Sequence, residues 1–125
     1  RGTRADYLDA RSFLTADDAA EPVIHTATSQ QALLERIAPH PGTRFVVTGF
    51  ICSEAGSGRT LVLGRNGSDY SATLIGSLVN CRQATIWKDV SGVYSADPRK
   101  VERVVSLPTL DWAEAEELAR LGSPV

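Results

Sequence analysis

The run Phe45-Val46-Val47-Thr48-Gly49-Phe50-Ile51-Cys52 constrains the fold more than any other part of this chain. Its residues are β-branched, aromatic or apolar on both alternating faces, the pattern of a strand buried on two sides. Such a strand needs a sheet around it and a packing layer on each face. Residues 59–63 resume as a strand after a polar, glycine-containing stretch, so the two segments predict a hairpin.

Helical spacing follows on either side. Ser29 is placed to cap a helix over residues 30–38, with Leu33, Leu34 and Ile37 on one face and Pro39, Pro41 and Gly42 as its stop. Over residues 70–80, Ala72, Ile75 and Val79 keep a helical period, and Leu74 and Leu78 widen the apolar face over much of the circumference. Residues 84–87 read as another buried strand, completing a strand, glycine-rich turn, helix, strand unit with a right-handed parallel crossover. The fold class is therefore α/β.

The flanks are less sharply patterned. Residues 6–10 suit a short strand. Residues 15–21 are acidic and alanine-rich, a loop or frayed helix ended by Pro22, and residues 23–28 favour a strand. Residues 101–107 fit strand or coil equally. Asp111 and Glu114 are placed to cap a last helix, with Trp112, Ala115, Leu118 and Ala119 as its buried stripe and Gly122 as its stop.

Composition narrows the function classes. The chain has 125 residues, 42% of them hydrophobic and 22% charged, enough for one domain with a core. A formal charge of −2 supplies no global field for nucleic acid or an anionic membrane. No apolar run approaches the about 20 residues that span a bilayer. Cys52 and Cys81 form no Cys-x-x-Cys pattern, and a reducing cytoplasm is the plain expectation. Methionine is absent and the chain opens on Arg1, which suggests a piece of a longer protein.

Two segments carry chemistry. Gly64-Arg65-Asn66-Gly67-Ser68-Asp69 lies between a strand end and a helix start, where glycines permit unusual backbone angles and helix N–H groups can meet an anion. Arg65 offers a bidentate fork to a carboxylate or phosphate, Ser68 a hydroxyl, and Asp69 either a partner for a lysine or magnesium ion or a helix cap. A capped turn with a solvent-facing arginine fits the same hexapeptide. The second segment, Trp87-Lys88-Asp89-Val90-Ser91-Gly92-Val93-Tyr94-Ser95-Ala96-Asp97-Pro98-Arg99, is predicted to leave the C-terminal end of a strand, where open α/β sheets bind ligands. Tyr94 can face a base, and Lys88 and Arg99 can meet phosphates, although an ordinary surface loop fits as well. His25 and His40 have no nucleophile or carboxylate at an interpretable spacing, which argues against a catalytic dyad or metal pair.

These two motifs, in this order, resemble the aspartokinase family of amino-acid kinases. The strand Val46-Val47-Thr48-Gly49-Phe50, the Asn66 form of the first motif, Tyr94-Ser95-Ala96-Asp97-Pro98-Arg99-Lys100-Val101 and Leu118-Ala119-Arg120-Leu121 resemble the kinase part of the fused aspartokinase/homoserine dehydrogenases of the methionine branch. The resemblance implies that residues 1–125 are a partial catalytic domain, the C-terminal part of a three-layer αβα sandwich of the carbamate kinase-like fold. It implies phosphorylation of the side-chain carboxylate of L-aspartate by Mg2+ and ATP, with NADP confined to a dehydrogenase part outside this chain.

By the same resemblance, Arg65, Asn66, Gly67 and Ser68 line the aspartate site and Asp69 orients a catalytic lysine. Gly64, Lys88, Asp89, Tyr94 and Arg99 contact the nucleotide. Implied partners are the small molecules L-aspartate and ATP, without nucleic acid or membrane, in a homo-oligomer. Several positions depart from the family pattern. The Lys-Phe-Gly-Gly-Thr motif and the upstream glutamate are not in the sequence. Lys88 stands where threonine is usual, Ser91 where aspartate is frequent and Pro124 where many members have a nucleotide-binding lysine. The alternatives are a non-catalytic nucleotide- or anion-binding α/β module, or another amino-acid kinase.

Overall fold

A computed structural model describes residues 4–18, 22–64, 67–89 and 92–120, without the side chains of residues 119 and 120. The chain divides into two compact units, Arg1–Ile86 and Trp87–Val125.

Among its described residues the first unit contains five strands and two α-helices. β1 (Ala5–Leu8) pairs in parallel with β3 (Arg44–Val47), Ala5 opposite Arg44 and Leu8 opposite Val47. β2 (Thr15–Ala16) pairs in parallel with β4 (Ile51–Glu54), and β4 pairs antiparallel with β5 (Thr60–Val62). The predicted hairpin therefore forms, but the predicted strand over residues 45–52 is interrupted. Its first part lies in one sheet and its second in the other.

The interruption is matched in the neighbouring chain segment. Between β1 and β2 the backbone makes a one-turn 3-10 helix, Ala10–Ser12, and between β3 and β4 it turns at Thr48, Gly49 and Phe50. Thr48 fills the gap: its N–H donates to the Leu8 carbonyl at 3.3 Å and its hydroxyl accepts from the Ala10 N–H at 2.8 Å. The partner offset is 39 residues in β1–β3 and 38 in β2–β4, so one extra residue sits on the first segment, as in a bulge. The result is a parallel ribbon bent in the middle. β3 is not buried on two sides, since its residues alternate between exposed and half-buried.

α1 (Thr26–Ile37) begins earlier than the Ser29 cap predicts, with His25 at its N-cap, and residues 23–28 form no strand apart from one bridge of Ile24 to Ala16. Ser29 is instead buried inside the helix, where its hydroxyl accepts the Thr15 N–H at 3.1 Å. A buried donor was a stronger demand than the helix end, whose N–H groups can reach water. Leu33 is buried as expected, whereas Leu34 is exposed.

α2 (Gly67–Leu78) also starts earlier, so Gly67, Ser68 and Asp69 form its first turn rather than a preceding loop. Its inner face carries Ser71, Leu74, Ile75 and Leu78, while Ala72 faces solvent. The core gathers Ala10, Phe13, Leu14, Ala16, Leu33, Cys52, Leu61, Leu63 and Leu78, all from the first unit.

The predicted strand at residues 84–87 does not form. These residues are exposed and irregular, and the crossover they would have completed is absent. A short apolar run has no ladder of its own and needs a neighbouring strand edge to satisfy its backbone groups. In the second unit, Tyr94 and Ser106 form an isolated antiparallel bridge, leaving most of residues 101–107 as coil. α3 (Trp112–Arg120) carries the expected reciprocal cap: the Glu114 N–H donates to Asp111 Oδ1 and the Asp111 N–H to Glu114 Oε2, each at 2.8 Å. Ala115 and Leu118 are half-buried, but Trp112 is exposed rather than part of a buried stripe. Gly122 and Pro124 lie outside the described residues.

Candidate functional site

The turn from β5 into α2 is built from the hairpin upward. The Leu63 N–H donates to the Phe50 carbonyl at 2.8 Å, continuing the pairing of β4 and β5 to the edge of the turn. Gly64 then takes φ 77, a left-handed angle that glycine adopts without steric cost. The Gly67 N–H donates to the Gly64 carbonyl at 3.2 Å and closes the turn. Arg65 and Asn66 lie outside the described residues.

Of the residues assigned to binding and catalysis in this turn, Gly67 is buried, Asp69 half-buried and Ser68 exposed. A first helical turn has N–H groups without acceptors inside the helix and carries the positive end of its dipole, the environment a carboxylate or phosphate prefers. Ser71, one turn further on, braces it. Its hydroxyl donates to the Ser68 carbonyl at 2.9 Å and accepts the Phe50 N–H at 3.2 Å. Phe50 and Ser71 were missed by sequence reasoning. The visible signal was the Thr48-Gly49-Phe50 interruption of an otherwise apolar strand.

The second unit holds the other predicted residues. Lys88 and Asp89 are exposed in the irregular segment, so they do not leave the end of a strand as predicted. Tyr94 is half-buried in a loop held by the Ser95 N–H to Val105 carbonyl and Leu107 N–H to Val93 carbonyl bonds, both 2.9 Å. Arg99 reaches back to Asp97: its backbone N–H and Nε donate to Oδ1 at 3.0 and 3.1 Å, and an Nη donates to Oδ2 at 3.2 Å. The Arg99 side-chain and backbone bonds hold the Asp97 carboxyl below its ordinary range, and Asp97 raises the Arg99 guanidinium in turn. Asp97 also closes the turn through its carbonyl, which accepts the Lys100 and Val101 N–H groups.

The structure thus brings Gly64, Gly67, Ser68 and Asp69 into one turn, and Tyr94 and Arg99 into one loop. His25 does have a carboxylate neighbour, contrary to its sequence reading: Nε2 lies 3.0 Å from Asp17 Oδ1, on the surface. Cys52 is buried, which pushes its thiol up, while Cys81 is exposed; neither is in a disulfide. No described helix is long and apolar enough to cross a membrane.

Comparison with known proteins places these features. The model of the amino acid kinase family matches residues 1–125. The chain is 54% identical over 125 residues to bifunctional aspartokinase/homoserine dehydrogenase 2 of Escherichia coli, covering all of this chain and 15% of that protein. It is 37% identical over 129 residues to lysine-sensitive aspartokinase 3 of the same organism, covering all of this chain and 28% of that one. Its fold matches the crystal structure of E. coli aspartokinase III in complex with aspartate and ADP, with a TM-score of 0.87 and 32% identity over 94% of this chain and 27% of that one. The Clostridium acetobutylicum aspartate kinase gives a TM-score of 0.76 at 28% identity, over 95% of this chain and 26% of that one. The chain spans well under a third of the length of these relatives, and its α/β fold, its paired motifs and its match from end to end make it a member of the amino acid kinase family.

Proposed function

We propose that this chain is part of the catalytic domain of an aspartate kinase, which transfers the γ-phosphoryl group of ATP to the side-chain carboxylate of L-aspartate. The product is 4-phospho-L-aspartate, the first intermediate on the route to lysine, threonine and methionine. The carrying observation is the aspartokinase turn Gly64–Asp69 opening α2 directly after β5, within a chain alike throughout to bifunctional aspartokinase/homoserine dehydrogenase 2. That likeness supports a fusion to homoserine dehydrogenase, and the same reading takes the whole protein to be a cytoplasmic homo-oligomer. The exposed Tyr7–Val46 pair on one face of β1–β3 supports burial of that face against further protein.

The chemistry asks little proton transfer of the protein. The aspartate carboxylate is ionised at neutral pH and needs no general base, so the work is to bring two anions together and stabilise spreading charge. In this reading Arg65, Asn66, Gly67 and Ser68 hold the aspartate, and Asp69 orients a lysine toward the phosphoryl group. Gly64, Lys88, Asp89, Tyr94 and Arg99 contact the nucleotide, which requires Arg99 to share or exchange Asp97 for phosphate. Mg2+ bound with ATP neutralises phosphate charge. In this reading the ion enters chelated by the phosphates of ATP.

The test is aspartate-dependent formation of the acyl phosphate by the full-length protein, trapped as its hydroxamate in the presence of Mg-ATP. A full-length protein that forms none, or that prefers another amino acid, would overturn the reading.

A further inference from the structure

Phe50 joins β3 to β4 with φ 72, a left-handed angle disfavoured for any residue with a Cβ and severe for a bulky one. Such an angle persists only where its surroundings determine it, and the bonds that Phe50 itself makes run to the end of the hairpin and to α2. The Phe50 N–H donates to Ser71 Oγ, and its carbonyl accepts the Leu63 N–H. Its ring lies against Gly67: a Cβ at that position would stand 2.5 Å from Phe50 Cδ2 and 3.1 Å from Cε2. Gly49 matters for the same reason, since a Cβ there would lie 2.9 Å from Ser71 Oγ.

Phe50 is not a core residue. It is 42% exposed, and the core is assembled without it. We propose that Phe50 is a positioning residue for the substrate carboxylate. Its ring presses on Gly67 and fixes the height of the first turn of α2, while the Phe50–Ser71–Ser68 bonds fix the rotation of that turn. The proposal rests on the reading of Arg65–Ser68 as the aspartate site. Displacing that turn by a fraction of its width would move the groups that hold aspartate and leave the loop containing Tyr94 and Arg99 unchanged.

Two substitutions in the full-length protein separate the ring from the backbone. Phe50→Asn removes the ring but suits a left-handed angle better than phenylalanine, so any loss cannot come from backbone strain. Phe50→Tyr keeps the ring, and its added hydroxyl can project into solvent. The expected result is an aspartate KM raised by about tenfold or more in Phe50→Asn, with the ATP KM changed by less than about twofold, and near-normal values in Phe50→Tyr. Hydrogen exchange over residues 64–71 should be faster in Phe50→Asn and normal in Phe50→Tyr. If Phe50→Asn does not fold, Phe50→Leu serves, with the same expected direction.

An unchanged aspartate KM in the ring-free variant, equal rises in both KM values, or unaltered exchange over residues 64–71 would overturn the proposal. A wild-type protein without aspartate-dependent turnover would overturn the reading of the site and the role of Phe50 toward aspartate. Exchange would still report separately whether the ring holds the turn.

Discussion

The side-chain amide of Gln30, in α1, donates to the backbone carbonyl of Leu78 at the end of α2 across 2.8 Å. The last carbonyls of a helix have no partner within it, so this bond supplies from another helix what α2 cannot supply to itself. Leu78 is buried in the core beside Leu33 of α1, and the bond therefore fixes the rotation of α2 at the end remote from the Gly64–Asp69 turn.

Gln30→Ala should destabilise the folded state by about 1 kcal/mol, the ordinary net value of one such bond, with the loss concentrated at the end of α2. Chemical denaturation gives the magnitude, and hydrogen exchange of the Val79, Asn80 and Cys81 amides locates it. Uniform acceleration across α2 would show that Gln30 acts through general packing instead.

Several features were readable in the residues because local chemistry decides them. The Asp111–Glu114 cap needs only two side chains three positions apart, and the hairpin of β4 and β5 needs only two apolar runs and a polar turn. The break at Thr48–Phe50 was visible only as an interruption of the apolar pattern, and its consequence, a bent ribbon, was not readable because it depends on Ala10 and Leu8 presenting a donor and an acceptor from a distant segment. Ser29 was misread for a similar reason: a serine before a helical run looks like a cap, and only the position of Thr15 makes it an internal acceptor. Trp112 and residues 84–87 show the opposite limit. Apolar patterning states what a segment is able to bury, and both are exposed in the structure. In the candidate site, residue types and order identified the turn, while the brace from Phe50 and Ser71 needed three-dimensional placement.

The β4–β5 hairpin should lose stability in acid. Glu54 accepts from the Ser57 hydroxyl and from Arg59 Nε, the latter at 3.0 Å, and Arg59 also pairs with Asp18. The Ser57 bond first, and the Arg59 bond after it, hold the Glu54 carboxyl below its ordinary range. A carboxyl with a depressed pKa in the folded state takes up its proton later on acidification than it does in the unfolded chain. Its contribution is then full above the ordinary carboxylate value of about 4 and is lost as pH falls through the depressed value. Denaturation midpoints of the wild type and Glu54→Gln should differ at neutral pH and converge in acid. A difference that stays constant with pH would assign the effect to packing.

The 125-residue chain alone should form no aspartyl phosphate. Phosphoryl transfer needs several cationic groups around the γ-phosphate at once, and losing a single such group in comparable sites costs on the order of 10²-fold or more. The Lys-Phe-Gly-Gly-Thr motif that supplies a lysine in the family is not among these residues, and Pro124 stands where another lysine is common. Hydroxamate trapping with Mg-ATP and L-aspartate decides this. Turnover near that of the full-length protein would mean that the chain carries sufficient charge by itself.

Arg65→Ala in the full-length protein separates the two halves of the proposed site. The guanidinium presents parallel donors that match a carboxylate in bidentate fashion, and a charge-assisted pair of this kind is worth about 2 to 3 kcal/mol. Its loss should raise the aspartate KM by roughly 30- to 140-fold, since each 1.4 kcal/mol is about a factor of ten. The ATP KM should change little, because nucleotide contacts are assigned chiefly to residues 88–99. Arg65→Lys should recover only part of the loss, because an ammonium keeps the charge without the fork. Paired saturation curves distinguish the outcomes. A raised ATP KM with normal aspartate affinity would move Arg65 to the phosphate side, and the turn that Gly64 opens and Ser71 braces would then serve the nucleotide rather than the acceptor carboxylate.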